Sequence, residues 1–175
     1  MFPSTRLRRY RKNEGLRKMF SQPFPGPEKF IWPVFVIEGK NREVPITAMP
    51  GQSRMTVDVL LRRLAPVVKS GIGGVMIFGV VEDSKKSLDG AYSFKKDGVV
   101  QKAICEIRRR YPELIVFTDV CLCAYTKHGH CGILDKDGDV ENDSTLSVLS
   151  NMAVSHAEAG AHSVAPSAMM DGQIL

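Results

Sequence analysis

The chain has 175 residues and a formal net charge of +5, with 43% hydrophobic and 25% charged residues. This length predicts one domain with a buried core, and the composition excludes a disordered or fibrous chain. No run approaches the ~20 apolar residues that a membrane span needs, so we expect a soluble body.

The first 20 residues hold the whole charge excess. Seven lysines and arginines against Glu14 give this arm a local charge of +6, so the rest of the chain carries −1. A basic arm is typical of binding to nucleic acid or an anionic membrane, but this one has no phosphate-binding motif and few aromatic residues for stacking. We therefore predict a packing arm, with no nucleic-acid partner and no membrane partner.

The arm lacks the apolar core of a signal peptide, although an Arg-rich start is also found in transit peptides. We predict a cytoplasmic location, and plastid import stays open. Residues 21–27, Ser-Gln-Pro-Phe-Pro-Gly-Pro, form a stiff connector, because prolines are incompatible with a helix interior or a central strand. The predicted division is an arm and connector over residues 1–29 and a body over residues 30–175.

Beyond the connector, apolar runs alternate with helical patterns. The predicted strands are residues 30–37, 74–80, 114–120 and 162–165, the predicted helices are 56–69, 98–111 and 144–159, and residues 169–175 are predicted to open a further helix. Continuous apolar strands that alternate with helices predict a parallel sheet buried on both faces.

Polar, glycine-rich segments follow the second, third and fourth predicted strands. In a (β/α)8 barrel these strand ends build the active site. Open doubly wound sheets also bind ligands there, but this chain has no Gly-x-Gly-x-x-Gly loop. We therefore predict an α/β fold of the (β/α)8 TIM-barrel family.

A full barrel takes eight strands and about 250 residues, so this chain accounts for roughly the first four β/α units. We expect either a truncated gene product or one half that another chain completes. Half a barrel would leave two open sheet edges and one exposed apolar face.

Three of the four cysteines, Cys121, Cys123 and Cys131, lie within eleven residues directly after the third predicted strand. The Cys-x-Cys pair places two thiols at the mouth of one turn, and bends at Gly129 and Gly132 can fold the third back onto them. Three soft ligands predict a zinc site with an open fourth position, which is the catalytic pattern.

Two alternatives to that site stay open: buried thiols without a metal, and a closed structural site completed by His128 or His130. The clustering argues against a disulfide framework and favours a reducing compartment. Asp119, just before the thiols, is predicted either to orient a substrate or ligand, to transfer a proton, or to bond loop amides. His156 is predicted to be a satisfied histidine at the edge of the core, and Lys127 a solvated loop charge.

Three segments carry a family resemblance: Asp119-Val-Cys-Leu-Cys123, His128-Gly-His-Cys-Gly132 and Val164-Ala-Pro-Ser-Ala-Met-Met-Asp-Gly172. Together they closely resemble the porphobilinogen synthases, also called δ-aminolevulinate dehydratases, and the resemblance runs from about Arg6 to Leu175. It implies a lyase of tetrapyrrole (heme) biosynthesis, which condenses two 5-aminolevulinate molecules to porphobilinogen with loss of water.

The resemblance implies roles for individual residues. Cys121, Cys123 and Cys131 would hold Zn²⁺, Asp119 and Ser167 would be catalytic, and Mg²⁺ would bind at a second, non-catalytic site. The two lysines that form Schiff bases with substrate in this family belong to the second half of the barrel and have no counterpart here. The family's N-terminal segment reaches onto neighbouring subunits, which predicts a homo-oligomer. The alternative is a catalytically inactive half-barrel, or a zinc-binding interaction protein that needs a partner chain.

Overall fold

The computed structural model of the chain describes residues 3–174. The N-terminal arm contains a 3-10 turn at Leu7–Arg11 and a short helix α1 (Glu14–Met19), whose first turn is capped by the Asn13 side chain. No residue of these two elements is buried. No helix in the described part of the chain is long and apolar enough to cross a bilayer.

The body is a mixed sheet with helices on one side. Its elements are β1 (Ile31–Ile37), β2 (Glu43–Pro45), β3 (Ser53–Thr56), α2 (Val57–Lys69), β4 (Gly74–Gly79), α3 (Val99–Arg110), β5 (Ile115–Val120), β6 (Ile133–Leu134), β7 (Val140–Glu141), α4 (Asn142–Glu158) and β8 (Ser163–Pro166). The four strands and three long helices predicted for the body are present, with ends that differ by one or two residues.

The strand order identifies the architecture. The main sheet runs β2-β3-β1-β4-β5-β8, so the four predicted strands lie side by side in chain order and pair in parallel. Helix α2 packs on α3, and α3 packs on α4, as expected when every crossover returns on the same face. In a doubly wound sheet the strand order reverses partway along the chain, whereas β1, β4, β5 and β8 follow one another in chain order. The sheet is therefore an open partial barrel, and the predicted fold class is confirmed.

Side chains alternate between the two faces of this sheet. On the convex face the strands and helices form the hydrophobic core, whose fully buried members include Val34, Val36, Leu60, Leu64, Val75, Ile77, Ile104, Ile107 and Val116. On the concave face Phe35 and Phe78 are only half-buried and stack with ring centroids 5.4 Å apart. The concave face is therefore open to solvent, as expected for half a barrel, and the burial of both faces that the apolar strands predict is not reached in this chain.

Helix ends follow local chemistry. The Glu141 side chain accepts a hydrogen bond from the Ser144 amide (2.9 Å) and starts α4, while Gly160 ends it with a φ of 103°. The predicted helix over residues 169–175 does not form in the described residues, because Met169 and Gly172 have positive φ values (62° and 80°) and residues 171–174 form turns. Leu175 lies outside the described residues.

His156 is more deeply placed than a core-edge residue. It is fully buried between α4 and the sheet, and its Nδ1 lies 3.0 Å from the Thr118 hydroxyl. Among the described residues its Nε2 has no hydrogen-bond partner. Burial lowers the pKa of His156 to about 4, so the ring is neutral at physiological pH. The predicted satisfied histidine is therefore only half satisfied.

Candidate active site

The parallel pairing of β5 with β8 brings the predicted site residues to one edge of the sheet. Val120 is in register with Pro166, so the loop that begins at Cys121 and the segment that begins at Ser167 leave the sheet side by side. Both lie at the carboxyl ends of the strands, which is where barrel enzymes place their chemistry.

The three predicted thiols converge. The Sγ atoms of Cys121, Cys123 and Cys131 all lie within 4.8 Å of one another, and those of Cys121 and Cys123 are 3.5 Å apart. Gly129, with a φ of 76°, makes the bend that returns the chain to Cys131. No other group of three or more potential metal ligands occurs in residues 3–174.

This cluster fits a zinc ion. With Zn–S distances of about 2.3 Å, a tetrahedral site separates its sulfurs by roughly 3.8 Å, so small side-chain movements would complete the site. Thiolates are soft ligands that suit zinc. Cys121 is buried, Cys131 half-buried and Cys123 exposed, so the cluster is open to solvent on one side.

The thiols prepare one another for metal binding. The contact with Cys123 lowers the pKa of Cys121 to about 6, against the opposing effect of burial, and this lowered pKa favours the thiolate form. The same contacts with Cys121 raise the pKa values of Cys123 and Cys131. Metal binding would therefore have to release protons from these two thiols.

The two neighbouring histidines are not part of the cluster. His128 Nε2 lies 3.2 Å from the Leu88 carbonyl oxygen, and its Nδ1 accepts a hydrogen bond from the His130 amide (3.2 Å). Both ring nitrogens of His128 are thus engaged within the loop, and His130 is exposed. This arrangement favours three protein ligands over the closed site with a histidine.

Asp119 and Ser167 form a direct pair. The Ser167 hydroxyl donates a 2.6 Å hydrogen bond to Asp119 Oδ1, across the β5–β8 junction. Burial raises the pKa of Asp119, and the bond from Ser167 opposes this. A raised pKa makes this carboxyl group a better proton acceptor than an ordinary aspartate, which suits a role in proton transfer.

An apolar wall that the sequence analysis did not identify completes the mouth. A cavity of about 180 Å³ is lined by Phe35 and Phe78 on one side and by Asp119, Cys121 and Tyr125 on the other. The in-and-out alternation along the first two predicted strands could have placed both phenylalanines on the concave face. Tyr125 lies in a loop, where no such alternation predicts the direction of a side chain.

No lysine of this mouth is suited to imine formation. The ammonium of Lys85 is paired with Glu38 and with the Tyr92 hydroxyl, and these contacts raise the pKa of Lys85. A lysine must lose its proton to attack a ketone, so this environment disfavours that role. The Lys127 side chain is exposed, as predicted for a solvated loop charge.

Comparison with known proteins gives consistent matches along the chain. The family model described as "Delta-aminolevulinic acid dehydratase" matches residues 4–175. A delta-aminolevulinic acid dehydratase of Streptomyces coelicolor is 46% identical over 99% of this chain and 53% of the relative, and one of Ruminiclostridium josui is 42% identical over 97% of this chain and 81% of the relative.

A solved structure shares the fold. It is delta-aminolevulinic acid dehydratase (porphobilinogen synthase) from Toxoplasma gondii ME49 in complex with the reaction product porphobilinogen, and it superimposes with a TM-score of 0.91 at 36% identity. The match covers 97% of this chain and 48% of that protein. The chain spans about half the length of most of the relatives reported above.

The absence of a side chain at Gly79 makes room for Tyr125 at the wall of the mouth. A Cβ atom at position 79 would overlap the Tyr125 hydroxyl and would lie 2.7 Å from Val100 Cγ2. We therefore expect Gly79→Ala to lower the free energy of unfolding by about 1–3 kcal/mol through overpacking. Urea unfolding with tyrosine fluorescence or circular dichroism measures this.

Tyr125→Phe deletes the overlapping oxygen and supplies the control. The Gly79→Ala/Tyr125→Phe double variant should lose less free energy of unfolding than the sum of the losses in the two single variants. Strictly additive losses would show that the hydroxyl does not limit the space at position 79.

Proposed function

Because the chain belongs to the delta-aminolevulinic acid dehydratase family, we propose that it carries the metal-binding half of a porphobilinogen synthase. This lyase condenses two 5-aminolevulinate molecules to porphobilinogen with loss of water, in tetrapyrrole biosynthesis. The observation that carries the proposal is the meeting of three thiols with the Asp119–Ser167 pair at one barrel mouth, within the segment that the family model matches.

We infer that the metal is Zn²⁺, held by Cys121, Cys123 and Cys131. Three thiolates leave a fourth position for a substrate atom, and when bound the ion supplies Lewis-acid polarisation of the substrate. A second, non-catalytic Mg²⁺ site stays a prediction, because no second group of three or more ligands is found in residues 3–174.

The remaining residues of the mouth bind, orient and move protons. The Asp119–Ser167 pair can take a proton from a substrate carbon or ammonium group at Oδ1 and return it, with the serine hydroxyl holding the carboxylate in place. The stacked rings of Phe35 and Phe78 line the cavity and offer an apolar surface against which a substrate can pack.

The covalent step needs residues that these 175 positions do not supply. Lys85 is held as an ion pair, and the family's two Schiff-base lysines have no counterpart in this chain. We propose that a second half, in cis or in trans, contributes them and covers the open concave face. The alternative function is a zinc-binding interaction protein that pairs with another chain, which the half-buried aromatic rings of that face also favour.

We also propose that the arm packs on neighbouring copies in a homo-oligomer. Several apolar side chains of this segment lie in solvent, among them Met19 (76% exposed) and Phe20 (56%). Contact with another subunit would remove this apolar area from water, which is favourable. The basic residues of the arm are soluble by themselves and would not favour such a contact.

We expect the purified chain to bind about one Zn²⁺ through the three-cysteine cluster. The Cys121→Ser/Cys123→Ser variant should lose the ion, because a single remaining thiolate cannot hold it, whereas Cys105→Ser on α3 should keep it. Elemental analysis after gel filtration measures the ratio. Full retention of zinc by the double variant would exclude the assignment.

We expect the isolated chain to form no detectable porphobilinogen, and borohydride with 5-aminolevulinate to trap no adduct by mass spectrometry. Without an imine there is no electron sink, and loss of covalent catalysis costs many orders of magnitude in rate. Adding the part of the Streptomyces coelicolor relative that this chain does not match should restore both porphobilinogen formation and the trapped adduct. In that mixture Asp119→Asn should lower turnover by about 10²–10⁴-fold. Turnover by this chain alone, or an adduct on Lys85 or Lys127, would contradict the proposal.

Deleting residues 1–20 should lower the oligomeric mass measured by light scattering, because the arm would no longer bridge subunits. A charge-neutralised arm that keeps Met19 and Phe20 is the matched control and should keep the mass. An unchanged mass on deletion, together with loss of DNA or RNA binding in a salt titration, would instead identify the arm as a nucleic-acid binder.

A further inference from the structure

The loop that carries the cysteines, residues 121–131, is supported by a second segment that supplies no ligand. Residues 83–94, which we call the bracing segment, follow β4 and lie along this loop. The Ser87 amide donates to the Tyr125 carbonyl (3.2 Å), and the Lys127 amide donates to the Ser87 carbonyl (3.0 Å). These two bonds form a parallel bridge between Ser87 and Thr126.

Two further contacts extend the support. The Leu88 carbonyl engages the His128 ring, and Gly90 lies close enough to fully buried Leu122 that a Cβ there would be 3.4 Å from Leu122 Cδ2. The bracing segment thus touches the loop between Cys121 and Cys123, and again between Cys123 and Cys131.

The bracing segment is itself anchored to the sheet by one ionic network. Lys85 Nζ pairs with Glu38, the residue that directly follows β1, and lies 3.1 Å from the Tyr92 hydroxyl. Tyr92 in turn donates a 2.6 Å hydrogen bond to Glu38 Oε1. Lys85 and Tyr92 lie near opposite ends of the bracing segment, so Glu38 fixes both ends to the same strand.

This network differs from the other lysine pairs of the chain. The two lysines are similarly exposed (35% for Lys85 and 27% for Lys86), but the partner of Lys85, Glu38, is 20% exposed, whereas the partner of Lys86, Asp83, is 95% exposed. Solvent screens an exposed pair and leaves it little effect on structure, but a sheltered pair with a third hydrogen-bonded partner holds its geometry.

We propose that Lys85 is a positioning residue that holds the three cysteines in metal-binding geometry, through its network with Glu38 and Tyr92 and through the bracing segment. The inference rests on the metal site proposed above. Lys85 touches no ligand, and it acts through the backbone bridge two residues further along the chain. Groups outside the ligand set that orient ligands typically change metal affinity by about 10–100-fold when they are removed.

The test uses the whole chain and Co²⁺ as the probe, because thiolate ligation of Co²⁺ gives a charge-transfer absorption that reports on the ligands. We expect Lys85→Met to weaken Co²⁺ affinity about tenfold in chelator competition. Lys86→Met, which removes the adjacent positive charge, should change it less than about twofold because the partner of Lys86, Asp83, is exposed to solvent. Tyr92→Phe deletes only the hydroxyl, so it stays informative if Lys85→Met does not fold, and we expect about threefold weaker affinity from the loss of a single hydrogen-bonding group.

Amide hydrogen exchange of the metal-free protein separates positioning from general destabilisation. Lys85→Met should speed exchange in residues 121–131 while α3 and α4 keep their protection. Lost affinity with faster exchange throughout the chain would assign Lys85 a merely structural role and overturn the inference. Equal losses in the Lys85 and Lys86 variants would also overturn it, as would unchanged affinity in both Lys85→Met and Tyr92→Phe. If the unaltered chain binds no Co²⁺, the proposed metal site itself is wrong.

Discussion

The parallel pairing of β5 with β8 is the constraint on which the site depends. Strands that run in the same direction deliver their carboxyl ends to one edge, and the Val120–Pro166 register sets how far each strand extends there. A shift of one residue would turn Asp119 from the concave to the convex face and would separate it from Ser167. The hydrogen bonds of this one ladder therefore determine the positions of the carboxylate, the serine and the first thiol together.

Successive side chains of each strand point to opposite faces of the sheet, one packed against the helices and the other facing the mouth. Thr118 points to the helices, where it meets the buried ring of His156, while Asp119 points to the mouth and meets Ser167. The same division holds for Val34 and Val36 in the core beside Phe35 at the cavity. Substitutions at Val34 or Val36 and at Phe35 should accordingly have different effects, whereas Cys121 and Tyr125 line the cavity and also belong to the buried core.

Local patterns predict the elements of the fold and the three clustered thiols, and long-range contacts account for what these patterns miss. The C-x-C-x7-C spacing and the strand–helix alternation are visible in short windows, so they were accessible from the sequence. The Glu38–Lys85–Tyr92 network joins residues 47 and 54 positions apart, and no short window contains it. The β2–β3 ribbon was missed for another reason: its strands have only three and four residues, too few to show a period. The turn at residues 171–174 depends on a positive φ at Met169, which is uncommon outside glycine, asparagine and aspartate.

The ribbon of β2 and β3 gives the sheet two unlike ends. β3 runs parallel to β1 beside Phe35–Ile37, and β2 then reverses direction and carries Pro45, which has no amide hydrogen to offer a further strand. At the other end, β8 is the outermost strand of the sheet in the described residues and continues the parallel direction of its neighbours. The two edges of the sheet therefore differ in how readily they accept a further parallel strand. A further parallel strand can add at β8, whereas the opposite edge presents the short antiparallel strand β2 with its proline.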